Sequence, residues 1–471
     1  AMIPVGGFER RRPAVFGLAR SGLAAARALK AGGADPLVWD DKAETRAKAA
    51  EEGFTVADLA VADWSEIAAL VLSPGVPLTH PEPHWTVRRA HEAGVEVIGD
   101  VELFARAVNA APAHKKPKVA AITGTNGKST TTALLGHVLS AARKDARIGG
   151  NIGTAVLDLP DMHGGAVYVV ETSSYQLDLT HSLKADVAVL LNISPDHLER
   201  HGNMEGYVAA KKRVLRNQGP GDVAVIGVDD GWSQRVCTEV TSANARTIWP
   251  VSAGRALGRG VYVLSGVLHD ATGDGVIEVA DLTRAQNLPG RHNWQNAAAA
   301  YAAARALGVP LFEAADGLIT FPGLEHRMEF VGQVGRVRFI NDSKATNADA
   351  ARQAMAATAR FRWIAGGIAK TGGIEPLADL FDRVTKAYLV GEAAPAFAAT
   401  LEGRAPAVVS GDIETAVAQA FRDAEASGED EVVLLSPACA SFDQYPDFEK
   451  RGDAFRAVVR DLAQSRQGVA A

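Results

Sequence analysis

The sequence predicts an α/β protein made of three successive doubly wound units. Short runs of Val, Ile and Ala alternate with Ala-rich segments of helical length, the pattern of parallel sheets covered by helices on both faces. Two of the strands run into Gly-rich turns that open helices, at residues 17–22 and 124–129. At ~100–200 residues per domain, the 471 residues leave room for three cores.

The first unit is expected over residues 1–107. A strand at 14–16 leads through a turn at 17–21 into a helix at 22–31, which Gly32-Gly33 ends. A second strand at 37–39 closes on Asp40-Asp41. Arg10-Arg11-Arg12 ahead of a mildly apolar stretch has the look of a targeting signal, but Arg20 and Arg27 break that stretch and the strand–turn–helix reading is preferred. Ala1, ahead of Met2, reads as a remnant of cloning, and residues 111–117 read as a linker.

The second unit is expected over 108–324, with strands at 119–123, 166–171, 187–193 and 223–228. A more β-like insertion spans 246–282, with Gly-rich turns at 258–260 and 272–275. An Ala-rich helix at 294–307 follows Leu288-Pro-Gly-Arg-His-Asn293. The third unit, 325–471, repeats the alternation with strands at 337–340, 362–365, 387–390, 407–410 and 432–435. Such sheets bind ligands at the carboxyl ends of their strands, so a site shared between domains is expected.

A net charge of -6, from 49 basic and 55 acidic residues, gives no electrostatic footprint for nucleic acid or an anionic membrane. The two cysteines, Cys237 and Cys439, form no C-x-x-C pair, which disfavours a disulfide framework or zinc knuckle and points to a reducing cytoplasm. No apolar run approaches the ~20 residues of a membrane span. Small-molecule substrates are the expected partners, and a monomer the expected state.

The strongest signal is Thr123-Gly-Thr-Asn-Gly-Lys-Ser-Thr130, a buried strand running into a Gly-rich turn. Backbone N–H groups of Gly124, Thr125, Asn126, Gly127 and Thr130 are placed to cradle phosphate oxygens at a helix N-terminus. Lys128 would reach the β/γ-phosphates of ATP, and the Ser129 hydroxyl would bind Mg²⁺. The general pattern asks for Gly where Ile122 stands, so the loop is a shortened variant. Downstream, Glu171 ends an apolar strand, His197 lies in Asn192-Ile-Ser-Pro-Asp-His-Leu-Glu199, and Lys211 in Tyr207-Val-Ala-Ala-Lys-Lys-Arg213. Taken singly these read as a solvated strand end, a structural histidine and an exposed basic face. Their order after a phosphate loop favours a site.

The loop resembles the nucleotide loop of the Mur ligase family, which includes folylpolyglutamate synthetases. The resemblance extends through Gly149-Gly-Asn-Ile-Gly153, Glu171-Thr-Ser-Ser-Tyr-Gln-Leu-Asp178, Leu324-Glu-His-Arg327, Asn341-Asp-Ser-Lys-Ala-Thr-Asn347 and Leu435-Ser-Pro-Ala-Cys-Ala-Ser-Phe-Asp-Gln-Tyr445. It implies a Rossmann-like N-terminal domain, a P-loop ATPase domain and a Rossmann-like C-terminal domain. It also implies ATP-driven conversion of a carboxylate into an acyl phosphate that an amine attacks, and the last stretch points to the branch that adds D-glutamate to UDP-N-acetylmuramoyl-L-alanine. Sister ligases using another amino acid, a bare P-loop NTPase and a simple nucleotide-binding module are the alternatives.

By the same resemblance Ser129 and Glu171 would ligate a first Mg²⁺ and His197 a second. Lys211 would be carbamylated, which turns a repelled ammonium into an anionic oxygen ligand. Asn293 and Asn296 would meet adenine, Asp342 the ribose and Arg327 the phosphates. Leu18, Ala19 and Asp40 would meet uracil, Ser73 and Gly75 the diphosphate, and Asn151 and Ser173 the muramoyl-alanine part. Thr346 and Lys370 would hold the side-chain carboxylate of D-glutamate, with Ser441 and the backbone at Phe448 holding its α-carboxylate. The match around Asp40-Asp-Lys42 is loose.

Overall fold

The structure, a computed structural model, describes residues 2–151 and 153–469; Ala1, and Ile152 of the 149–153 stretch, lie outside the described residues. The chain divides into two compact units, Ala1–Phe321 and Pro322–Ala471.

The first unit holds two sheets. Strands β1 (Arg12–Phe16), β2 (Leu37–Trp39), β3 (Thr55–Val56), β4 (Ile67–Leu72) and β5 (Val97–Ile98) form an all-parallel sheet in the order β3-β2-β1-β4-β5. The chain leaves β1 to one side and returns on the other as β4, so the carboxyl ends of these two strands make the switch point where ligands bind.

The second sheet has nine strands: β6 (Lys118–Thr123), β7 (Asp145–Gly150), β8 (Ala166–Glu171), β9 (Val187–Leu190), β10 (Val223–Gly227), β11 (Thr247–Ser252), β12 (Gly260–Leu264), β13 (Val267–Ala271) and β14 (Ile277–Asp281). Its order is β14-β13-β12-β11-β10-β9-β6-β8-β7, parallel from β7 to β12 and antiparallel beyond. Every residue of β8 is buried, as are those of β6 after Lys118, which is why they read as unbroken apolar runs. Ser265 and Gly266 turn the β12–β13 hairpin, both with positive φ. The Ala-rich helix Arg291–Ala306 is buried from Ala297 to Ala304 and packs with Leu134, Leu135 and Val138 of the helix Lys128–Ala141. Its alanines let the buried stretch lie close to the sheet.

The second unit contains β15 (Glu329–Val334), β16 (Val337–Asn341), β17 (Phe361–Gly366), β18 (Ile368–Ala369), β19 (Val384–Val390), β20 (Ala407–Gly411), β21 (Glu431–Leu435) and β22 (Cys439–Ala440). Six of them form the sheet β15-β16-β21-β17-β19-β20, parallel except for β15. Two separate apolar clusters cover it, as a doubly wound sheet requires. Among the described residues no helix is long and apolar enough to cross a membrane.

Candidate active site

The phosphate loop lies where the order of the large sheet reverses, at the end of β6 between β8 and β9. Gly127 has φ +83°, and a Cβ there would stand 2.2 Å from Asn296 Oδ1. Gly124 is also confined, since a Cβ there would stand 2.9 Å from that of Leu191. The segment after β9 fixes the loop from the side. Thr125 N–H donates to Asn192 O (2.9 Å) and Asn126 N–H to Asn192 Oδ1 (2.8 Å), while Asn192 Nδ2 returns a bond to Asn126 O (3.0 Å). The loop's backbone is therefore fixed by bonds within the protein itself.

Two lysines share one carbonyl. Lys128 Nζ donates to Gly124 O at 2.9 Å and to Thr125 O at 3.0 Å, and Lys211 Nζ donates to Gly124 O at 2.8 Å. Lys211 is 1% exposed, which rules out the exposed basic face. Burial, then the nearby Lys128 charge, push its pKa well below the ordinary lysine value. Its Nζ lies 4.8 Å from the Tyr207 ring centroid, and the Tyr207 hydroxyl meets Thr125 Oγ1 at 2.9 Å.

Glu171 is buried at the end of β8. Its Oε1 accepts from Asn151 Nδ2 at 3.2 Å, whereas Oε2 is buried with no hydrogen-bond partner among the described residues. Ser173 caps the helix Ser174–Asp178 through a reciprocal box with Gln176. His197 adopts φ +52°, with Nδ1 3.1 Å from the Tyr175 hydroxyl and Nε2 3.3 Å from Asp196. Lys128, Asn151, Ser173, His197 and Lys211 line one cavity of about 310 Å³ together with Gly75. The buried Ser129 opens the helix beside it. Among the described residues no group of three or more His, Cys, Asp or Glu could hold a metal ion. A Mg²⁺ here would draw oxygen ligands from phosphate and water as well, its usual habit, and the unpartnered Glu171 oxygen fits such an ion.

In the N-terminal sheet, Leu18 N–H donates to Asp40 Oδ2 at 2.7 Å, so two expected uracil residues come together. Burial opposes the Asp40 charge, but N–H groups of Leu18 and Lys42 outweigh it and hold the pKa below the usual value. Ala19 stands at the N-cap of the helix Arg20–Ala31, and Ser73 Oγ donates to Gly17 O at 3.1 Å. A Cβ on Gly22 would stand 1.7 Å from Gly17 O, so this turn also depends on glycine. Beside the phosphate loop, at the start of the Ala-rich helix, Asn296 Nδ2 reaches Asn293 Oδ1 at 3.3 Å. Gln295, adjacent in sequence, bonds Asp229 at 3.2 Å and Asn192 at 3.4 Å.

Within the C-terminal unit, Asp342 accepts from Ser436 Oγ at 2.8 Å and Met328 N–H at 3.1 Å. Burial pushes its pKa up to about 7 against these bonds and the charge of Arg327. Antiparallel pairing of β18 with β22 sets the turn carrying the exposed Lys370 beside the segment that leads to the buried Ser441. Thr346 is half-buried after β16, and Phe448 opens the helix Phe448–Val469 with its carbonyl accepting from Ser343 Oγ at 2.7 Å. The sequence reading missed Arg451. It is 2% exposed and donates to Ser343 Oγ (3.0 Å), Ser343 O (2.8 Å) and Cys439 O (3.0 Å), joining all three segments. Asn192 and Tyr207 also act on the phosphate loop, a role that their local sequence does not announce.

Residues 122–304 match the model of the Mur ligase middle domain, and 326–439 the Mur ligase glutamate ligase domain. The chain is 69% identical over 461 residues to a UDP-N-acetylmuramoylalanine–D-glutamate ligase of Caulobacter vibrioides, covering 98% of both chains. It is 54% identical to the enzyme of that name from Nitrobacter hamburgensis, again over 98% of each. Among solved structures it resembles a UDP-N-acetylmuramate–alanine ligase from Thermotoga maritima at a TM-score of 0.54 and 18% identity, covering 96% of this chain and 99% of that one. That last likeness speaks for the fold alone.

Proposed function

The chain belongs to the Mur ligase family, and we infer from this that it joins D-glutamate to UDP-N-acetylmuramoyl-L-alanine at the expense of ATP, in peptidoglycan precursor synthesis. The observation that carries the chemistry is the meeting of Lys128, Lys211 and the unpartnered Glu171 oxygen around the phosphate loop. We assign residues 1–107 to the UDP-bearing substrate, 108–324 to ATP and 325–471 to D-glutamate, in a monomeric cytoplasmic enzyme.

In this reading the loop amides and Lys128 hold the β- and γ-phosphates, and Lys128 leaves the Gly124 carbonyl to do so. Asn151 and Ser173 present the substrate carboxylate, whose oxygen attacks the γ-phosphorus; the bridging P–O bond to the β-phosphate breaks, ADP leaves and an acyl phosphate forms. The D-glutamate amine then attacks the acyl carbon, an amide forms and phosphate leaves. Thr346, Lys370, Ser441 and the Phe448 N–H would hold the two carboxylates of D-glutamate, while Asn293, Asn296, Asp342 and Arg327 hold ATP. Mg²⁺, when bound, neutralises charge on the transferred phosphoryl oxygens. We place two such ions on Ser129, Glu171, His197 and Lys211.

Lys211 suits carbamylation because its depressed pKa supplies free amine. The Nζ lone pair attacks CO₂, an N–C bond forms, one proton leaves, and the product is an anionic oxygen ligand. Exposure to ¹³C-bicarbonate should give a carbamate carbon signal that Lys211→Met lacks; its absence from active enzyme would exclude the modification.

The function is tested by phosphate release from ATP and Mg²⁺ with UDP-N-acetylmuramoyl-L-alanine. Release that requires D-glutamate and fails with L-glutamate is expected. Release independent of D-glutamate would overturn the assignment.

A further inference from the structure

Arg200 lies three residues beyond His197 in the short helix Leu198–His201 and is 4% exposed. No step of the reaction uses it. Its Nη1 donates to the carbonyl of Val76, in the loop after β4. Val76 N–H in turn donates to Ser73 O at 3.0 Å, so this loop is one folded turn with Ser73 and Gly75 on it. The guanidinium carbon lies 5.0 Å from the Tyr175 ring centroid, and the Tyr175 hydroxyl meets His197 Nδ1 at 3.1 Å. Asp178 stands 4.0 Å from Nε, yet Nε and Nη2 are buried without a hydrogen-bond partner among the described residues.

A buried cation with unfilled donors is costly, and an apolar side chain of similar volume would be less so. The contacts Arg200 does make join two sheets of one compact unit: the loop of the five-stranded sheet on one side, the His197 turn of the nine-stranded sheet on the other. We propose that Arg200 is a positioning residue that couples the grip on the UDP end of the substrate to the placement of His197. This rests on the reading that Ser73 and Gly75 meet the diphosphate. Energy from contacts remote from the reacting carboxylate is thereby converted into alignment at the reacting end, so a substrate lacking its remote group loses kcat as well as affinity.

The test compares two acceptors in the full-length enzyme: UDP-N-acetylmuramoyl-L-alanine, and N-acetylmuramoyl-L-alanine without the UDP group. With the full acceptor, Arg200→Gln should lower kcat about 10- to 100-fold, the range misplacement of reacting groups gives, while KM for D-glutamate holds. With the truncated acceptor the loss should shrink to about twofold, because no UDP grip remains to be transmitted. Equal losses on both acceptors would mean that Arg200 merely supports the fold, and would overturn the coupling. Where Arg200→Gln fails to fold, or the truncated acceptor turns over too slowly to measure, a cycle of Ser73→Ala with Arg200→Lys replaces it. Losses smaller in the double variant than the product of the singles support coupling, and strict multiplication overturns it. If the wild-type enzyme fails to turn over the UDP-bearing acceptor at all, the functional reading itself falls, a separate outcome.

Discussion

Lys211 in the first unit and Asp342 in the second are both buried ionisable groups, and the two units treat them in opposite ways. Lys211 receives a carbonyl, an aromatic face and the nearby Lys128 cation, and its burial outweighs the opposing charges of Asp196 and Glu171. Asp342 receives a hydroxyl and an N–H, donors that serve its carboxyl in either protonation state. The first arrangement loosens the lysine's hold on its proton. The second holds a carboxyl poised near neutrality. Burial alone does not tell a functional charge from a structural one; the partners do.

The comparison breaks most sharply at Lys211. Lys211→Met should lower kcat about a thousandfold, ~4 kcal/mol of transition-state stabilisation, with circular dichroism and nucleotide affinity little changed. A loss under tenfold would show that the lysine only props the loop. Glu171→Gln keeps the Asn151 contact but removes the anion, so half-activation should need about tenfold more Mg²⁺, one charge-assisted bond's worth. An unchanged Mg²⁺ requirement would remove Glu171 from the metal site.

Asp342 sharpens the other side. Its folded pKa is raised from 3.8 to about 7, so the stability it contributes is complete below pH 3.8 and is lost as pH rises through 7. Asp342→Asn should therefore unfold at a higher temperature than wild type at pH 8 and converge with it near pH 4, while KM for ATP rises about tenfold. A Tm difference independent of pH would contradict the raised pKa. The smallest effect is expected at His201, whose ring meets Ser174 Oγ at 2.9 Å. Burial, then Arg200, lower its pKa from 6.5 to about 4, so its stabilisation is present above pH 6.5 and lost as pH falls through 4. His201→Gln should flatten the thermal-stability profile between pH 6.5 and 4, as differential scanning calorimetry would read.

Legibility in the sequence followed burial only in part, since the buried apolar strand β4, Ile67-Ala-Ala-Leu-Val-Leu72, went unread. The strands β6 and β8 were readable because helices cover both their faces, which leaves only apolar positions. The edge strand β7, Asp-Ala-Arg-Ile-Gly-Gly, and the antiparallel β15 carry polar residues and went unread, as did the two-residue strands β3 and β5. The phosphate loop was readable because its chemistry is local: backbone, lysine and hydroxyl lie within seven residues. Arg451 was not, since in Phe448-Glu-Lys-Arg451 it reads as a solvent-facing helix charge, and its three partners lie at Ser343 and Cys439. Asn192 and Tyr207 escaped for the same reason, as their work is done on a loop 66 and 82 residues earlier.

The position of β21 has a consequence for biosynthesis. It lies between β16 and β17, although five other strands of its sheet precede it in the chain. A ribosome making this protein delivers the middle of that sheet last. Until then the nascent segment holds β15–β16 and β17–β19–β20 as separate ribbons with open edges, templates for wrong pairing. A premature stop before Glu431 would thus remove the keystone rather than trim a margin, and would hand the cell's quality-control machinery a chain with two unsatisfied seams.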